Sequence, residues 1–496
     1  MSILYNKEDR QVIPRLRTFD LTMSTGELSS PETSHNLTNS SLYHLKLRDK
    51  WLQNKTIIIA RKLYSSAMIL GIENQYTEVG DFILKNGNEK DRITEFIKSK
   101  LDFNPIIKNE FDNRIEIQNL KENLKENPKN PILWSELSRF YLLENQSDKA
   151  VKCAEISISL DKDNRYVLRT MSSLFNQLGD TERALKTIRL SGYHKLDPWL
   201  LSADLAFSNL LKRKSKLIDH SIKVLNSYKD KPNYITELLS SVGAYEFKHG
   251  SIKKVNKYLI ASLIEPTDNS LAQALWLSDK NIVNQYSWND GIDNIKLNFE
   301  AKTLNFFNAE KFENAYLEAI NWYNDEPYSM KALTIASYID SVFLKKYEKS
   351  IKIMKKVLDK GFSDDLSVNN LIYMLLKSGN YTEAEKYHQK YFPKLLEEAN
   401  NPIYIATTGM LSFRLGRLEQ GHKLYQEAIN LARKTKHNKN LLRAMGNYLV
   451  ESHLVNYSGE ETEKIRKEFV EKASKSEESE IKQILTDYRL LNENTV

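Results

Sequence analysis

PILWSELSRFYLLENQSDKAVKCAEISISLDKDN (131–164) runs directly into RYVLRTMSSLFNQLGDTERALKTIRLSGYHKLDP (165–198), and the two stretches repeat the same residue types in the same order. Trp134, Leu137, Tyr141 and Ala150 are answered 34 residues later by Leu168, Met171, Phe175 and Ala184. Trp134, Leu137 and Tyr141 stand at offsets 0, 3 and 7, which puts them on one face of a helix. Ala150 and Ala154 fall on the next helix, where small side chains let the two helices approach closely. Asn145 and Gly179 occupy the turn between them, and both tolerate a left-handed backbone. One such unit cannot bury its apolar face alone. Stacked neighbours bury it between them, so the period predicts an array.

Outward from this pair the pattern returns. Tyr245, Ala261 and Pro266 keep the aromatic, small and closing proline positions, as do Phe306, Ala315 and Pro327. Leu375, Gly379 and Ala384 repeat it, and Gly409, Gly416, Gly421 and Ala428 form the last good unit. Residues 199–232 and 267–300 keep a helix-forming composition but lose most signature positions, and WNDGIDN (288–294) reads as a break. Tyr245 lies 104 residues after Tyr141, two more than three perfect periods, so a small insertion is expected. The chain divides into an irregular N-terminal segment (1–42), an N-terminal helical cap (43–112), a repeat array (113–458) and a charged C-terminal capping helix (459–496). At this period the array holds roughly ten units, several of them degenerate.

With the large residue, the aromatic, the Gly turn, the two Ala positions and the closing Pro in place, the array resembles the tetratricopeptide repeats, in a bacterial-type multi-repeat form. The resemblance implies an all-α, helix–turn–helix solenoid wound as a right-handed superhelix. It also implies that the first helix of each unit lines a concave groove for a protein partner, taken as a peptide or helix. Carried over position by position, the groove-facing candidates are Arg139, Leu142, Tyr166, Arg169, Asn176 and Gln177 early in the array. Late in the array they are Asn369, Tyr373, Lys377, Met410, Phe413 and Arg414. Arginine, amide and aromatic groups together suit an extended peptide, whose backbone the amides can bond. The Lys/Asn/Arg clamp that some members use for chaperone C-termini is not reproduced by Ser135, Arg139 and Thr170.

Composition narrows the function classes. The 496 residues are 41% hydrophobic and 28% charged, in the range of folded proteins, with a net charge of only +7. The single Cys153 leaves no internal disulfide and no multi-cysteine metal site. MSILYNKEDRQVIPRLR lacks the apolar core of a secretory signal, so the expected compartment is cytoplasmic. No phosphate loop, dinucleotide fingerprint, HExxH or GxSxG occurs, and the nine histidines are scattered. The expectation is therefore a non-enzymatic interaction scaffold or regulatory adaptor with no cofactor and no metal. Two alternatives stand beside it: an RNA-binding helical-repeat protein and an antitoxin-like partner of an enzyme. The RNA reading looks to LKKYEKSIKIMKKVLDK (344–360), although its Tyr347, Ile351, Met354 and Val357 make an ordinary amphipathic stripe. Finally, VIPRLRTFD (12–20) sets Arg15 and Arg17 among Ile13, Leu16 and Phe19. It reads either as an arm that folds against the array or as a partner-binding segment.

Overall fold

The computed structural model describes residues 10–17, 34–69, 76–87, 94, 97, 113–277, 292, 295–359, 361, 364–398 and 401–493. Among these every regular element is helical. Most of the break expected at 288–294, and Phe19, lie outside the described residues. Cα packing divides the chain into two units, Met1–Asn305 with Asn324–Tyr328, and Phe306–Tyr323 with Ser329–Val496.

The first unit opens with α1 (Ser34–Gln53), α2 (Ile57–Ile69) and α3 (Thr77–Asn86). Leu47, Trp51, Leu63, Tyr64, Val79 and Ile83 close them around a core of their own. Helix α1 begins inside the stretch read as irregular. Ser, Thr and Asn lower helix propensity only slightly, and packing of Leu47 and Trp51 overrides it.

The repeats follow as helix pairs: α4 (Asn113–Glu126), α5 (Pro131–Leu143) with α6 (Ser147–Leu160), and α7 (Arg165–Gln177) with α8 (Thr181–Ile188). Then come α9 (Pro198–Leu210) with α10 (Ile218–Ser227), α11 (Pro232–His249) with α12 (Ile252–Ser262), and α13 (Asp268–Leu277). Several first helices start on a side-chain cap. Asn130, Asn164 and Asp197 accept from the backbone N–H groups of Ile132, Val167 and Trp199 at 3.0, 3.2 and 2.9 Å. Pro131 and Pro198 supply the first helical residue, where no N–H is needed. Leu137, Tyr141, Leu168, Met171 and Phe175 pack with Ala150, Ala154 and Ala184, all buried.

The left-handed turn survives where the sequence signature fades. After Asn145 (φ 54°) and Gly179 (φ 83°) it falls on Lys212 (φ 55°), 33 residues on, inside the degenerate stretch. Later turns use Glu310 (φ 55°), Lys345 (φ 58°), Gly379 (φ 82°) and Gly416 (φ 74°). A lysine or glutamate there costs some backbone strain but keeps the pair geometry, so the period persists without its glycine.

Helix α14 (Phe299–Asn308) leads into the second unit with α15 (Phe312–Asp325), then α16 (Met330–Ile339) continued by a π-helical turn, Asp340–Leu344. The pairs continue through α17 (Tyr347–Asp359), α18 (Asp365–Lys377), α19 (Tyr381–Glu398), α20 (Pro402–Arg414), α21 (Leu418–Lys434) and α22 (Asn438–Leu454). In place of a single charged capping helix, the tail forms two, α23 (Glu460–Ser474) and α24 (Ser479–Glu493). Ile465 and Phe469 on α23 and Ile481, Leu485 and Tyr488 on α24 are core residues, spaced so that each helix has one apolar face to bury. The acidic run around Ser476–Ser479 hid that stripe.

Candidate functional site

Helix α13 is where the repeat array meets an extended segment from early in the chain. Asn269, Gln273 and Trp276 fall at steps of 4 and 3, on one side of this helix, and all of its residues from Asp268 to Leu277 are buried. What covers them is the chain's own RQVIPRLR (10–17), which lies across the face without regular secondary structure. Asn269 Nδ2 donates to the Ile13 carbonyl at 2.8 Å, and Gln273 Nε2 donates to the Arg10 carbonyl at 3.1 Å. Asn209 on α9 reaches Gln11 Oε1 at 3.1 Å. Amide side chains thus hold a peptide main chain, as strands are held in peptide-binding grooves.

Three guanidinium groups give the segment its register. Arg10, 4% exposed, donates from Nε and Nη2 to the two carboxylate oxygens of Glu300 at 3.2 and 3.0 Å. Its Nη1 reaches Gln273 Oε1 at 3.0 Å, and Nη2 also reaches Asn269 Oδ1 at 2.8 Å. Arg15 spans Asp268 (3.1 Å), Glu300 (2.5 Å) and Glu326 (3.2 Å). Arg17 joins Asp268 (2.9 Å) to Asp325 (2.6 Å) and donates to the Leu297 carbonyl at 2.8 Å. Val12 and Leu16 are the apolar anchors, 0% and 1% exposed, and Leu16 enters the core formed by the first repeats.

Three arginines therefore face four carboxylates, all of them largely dry. Burial pushes the Asp325 carboxyl up to about 6; Arg17 pulls it down, and Glu326 pushes it further up. Burial acts on Asp268 in the same upward direction, but Arg17 and then Arg15 outweigh it and hold that carboxyl below its ordinary value. Arg15 and Arg17 are raised despite burial, because the surrounding carboxylates favour their charged forms. Without cationic occupancy, four acids in one low-dielectric face would repel one another and lose their solvation. The face is built for guanidinium groups.

The sequence-derived groove residues sit mostly between repeats. Arg139 donates to Glu136 at 3.2 Å and lies over the Phe140 ring, while Tyr166 donates to the same Glu136 at 3.0 Å. Arg169 bridges to Glu237 at 2.8 Å and stacks on Trp199. Leu142 is core, Asn176 accepts from Thr181 at 2.9 Å, and Gln177 is exposed at the helix end. In the second unit Met410 and Phe413 are core, and Asn369 accepts from Thr407 at 2.7 Å. Lys377 and Arg414 converge on the buried Glu451, at 3.2 and 2.6 Å, and Tyr373 donates to Asn447 at 3.4 Å. The structure thus uses Tyr166, Arg169, Lys377 and Arg414 to tie repeats together, while Arg139 pairs within its own helix.

In the second unit α24 packs against α16 and α22. Glu480, on its first turn, takes two bonds from Arg443 of α22 at 2.6 Å and one from Tyr338 of α16 at 2.9 Å. Lys345 reaches Asp487 at 2.6 Å. Burial, followed by the Glu480 carboxylate, pushes the Tyr338 hydroxyl well up.

Sequence reasoning singled out Arg15 and Arg17 but not Arg10, nor the acids that receive them. Asp268 and Glu300 lie in 267–300, where the repeat signature fades, and Asp325 and Glu326 sit beside the closing Pro327. Their one sequence signal is that acids cluster at helix ends where the repeat pattern asks for nothing. Among the described residues no group of His, Cys, Asp and Glu is arranged to hold a metal ion. No described helix is long and apolar enough to cross a membrane.

No family model and no curated protein matches the chain. Solved structures do. Yeast Tom70 shares 12% identity at a TM-score of 0.32, over 92% of this chain and 96% of its own. The APC/C hetero-tetramer Cut9-Hcn1 shares 13% at 0.30, over 91% and 96%. The pentatricopeptide repeat protein PPR10 from maize shares 12% at 0.23, over 90% of this chain and 73% of its own. The helix pairs, their buried alanines and their recurring left-handed turns make this a tetratricopeptide-like helical-repeat protein.

Proposed function

We propose that this chain is a cytoplasmic, non-enzymatic scaffold or regulatory adaptor that binds a segment of a partner protein on the inner face of its repeats. One observation carries the reading: Asn269 and Gln273 bond the main chain of an extended segment while carboxylates beside them take its arginines. A preformed face of this kind loses little entropy on docking a peptide. The RNA reading is weakened at three lysines of 344–360, which are drawn to carboxylates. Lys345, Lys346 and Lys355 are paired with Asp487, Glu313 and Glu383, at 2.6, 2.6 and 2.5 Å.

The test is affinity capture with the full chain from its native host, with and without nuclease, repeated with Asn269→Ala and Gln273→Ala together. A stoichiometric protein that survives nuclease and is lost with the double substitution supports the reading. Recovery of RNA alone, or of no stoichiometric protein, removes it.

A further inference from the structure

The arm at 10–17 is held like a ligand, and that defines what a true ligand must look like. Its backbone contacts are made by side chains of the array, and its register comes from arginines at its first, sixth and eighth positions. Apolar residues fill the third and seventh positions, Val12 and Leu16. The receiving face carries Asp268, Glu300, Asp325 and Glu326, one charge more than the three arginines that occupy it. We propose that this face is a receptor for extended, arginine-bearing segments of a partner protein, and that residues 10–17 are a resident pseudo-ligand the partner must displace. The partner segment has the pattern Arg-x-Val-x-x-Arg-Leu-Arg or a close variant of it. The proposal rests on the reading of the inner face as a peptide-holding surface, and it names the chemistry of the peptide.

Charge complementarity favours this occupant over others. A nucleic acid would bring phosphates to a row of carboxylates, and an acidic peptide would do the same. An unstructured apolar segment would leave the four acids without partners in a dry site. Only a guanidinium offers the forked donors that Glu300 accepts from Arg10, and the single nitrogen of a lysine lacks the span by which Arg15 reaches three carboxylates through three separate nitrogens. Because the arm is tethered, its local concentration is high, and an outside peptide meets a face that is open only a fraction of the time. Its apparent affinity is reduced by that fraction.

The experiment uses the full chain, a full-length Arg15→Gln/Arg17→Gln variant and a fluorescent peptide of sequence EDRQVIPRLRTFD (8–20). Weakening the resident arm should raise the apparent affinity of the added peptide about tenfold or more over the unaltered chain. That binding should weaken with added salt, and it should be lost when Asp268→Asn is added to the variant or when the peptide's arginines are glutamines. If the variant keeps its helical circular dichroism but binds no peptide, the arm is a permanent part of the fold and the proposal fails. If the variant does not fold, Leu16→Ala in the full chain replaces it, with the same two readings. A dimer in sedimentation, dispersed by excess peptide, would assign the face to the arm of a second copy and overturn the external partner. A chain that binds no such peptide yet still captures a nuclease-resistant protein through Asn269 and Gln273 loses this inference and keeps the scaffold reading.

Discussion

Glu300 shows how much of the site rests on single side chains. It receives Arg10 through both oxygens, Arg15 at 2.5 Å and the Trp276 indole at 2.9 Å, while being 3% exposed itself. A buried ion pair adds little net stability, but losing one partner strands the other, at about 3–5 kcal/mol. Glu300→Gln is therefore expected to lower the urea stability of the first unit by about that much and to release the arm. Glu326→Gln, which removes one contact to Arg15, should cost less. The apolar anchors Val12 and Leu16 supply the net attraction, about 1.5–3 kcal/mol for each buried side chain. The arginines supply register.

The Asp325 carboxyl makes the Arg17 end of the arm sensitive to pH. Its folded-state value, raised by burial to about 6, lies above the unfolded one of 3.8. Its own contribution to global stability is thus present below pH 3.8 and lost as pH rises through about 6. The bond to Arg17 runs the other way, because it needs the carboxylate and so forms as pH rises through that same value. Asp268, held low by Arg17 and Arg15 against burial, keeps its charge well below this window and contributes stability that is lost only under more acidic conditions. Hydrogen exchange, corrected for intrinsic rates, should show residues near Arg17 opening more at pH 5 than at pH 7 while those near Arg10 do not. Asp325→Asn should abolish the difference.

At the scale of elements, close approach decides the packing. Ala184 is fully buried between the helices of its pair, and Ala184→Trp is expected to cost about 1–3 kcal/mol in thermal or urea unfolding. Gly446 on α22 has no room for a side chain: a Cβ would stand 2.4 Å from Ile484 and 2.8 Å from the Phe469 ring. Gly446→Ala should therefore loosen α24 in preference to the repeats before it, seen as hydrogen exchange rising over 479–493.

The elements also show what was legible in the sequence. Gly179, Gly379 and Gly416 announced their turns because only small or permissive residues favour that backbone. Lys212, Glu310 and Lys345 adopt it under compulsion from the packed helices on either side, and no residue type betrays that. The apolar arm with its paired arginines was visible as a segment without a place. Its receptor was not, because acids on a helix ordinarily read as solvated. Burial alone turns Asp268, Glu300, Asp325 and Glu326 into a site. For the same reason Arg139, Arg169 and Arg414 looked available, when each has a carboxylate within 3.2 Å from its own or a nearby repeat helix.

In each unit a segment from near one end of the chain packs on repeat helices: the extended arm at 10–17 on α13 in the first, and helix α24 on α16 and α22 in the second. On the proposed scaffold reading, a partner of the first unit has to compete with the arm for the face it covers. The claim on which this depends is that residues 10–17 occupy the inner face of the first unit in the native protein. Limited trypsin digestion, followed by mass spectrometry, tests it directly. Arg10, Arg15 and Arg17 are each followed by a residue trypsin accepts, yet all three side chains are paired and largely buried. In the native chain no cleavage is expected after these arginines while exposed sites such as Arg114 and Lys356 are cut, and rapid cleavage is expected at all three once Glu300→Gln frees the arm. Early cleavage after Arg15 or Arg17 in the native, unaltered chain would contradict it.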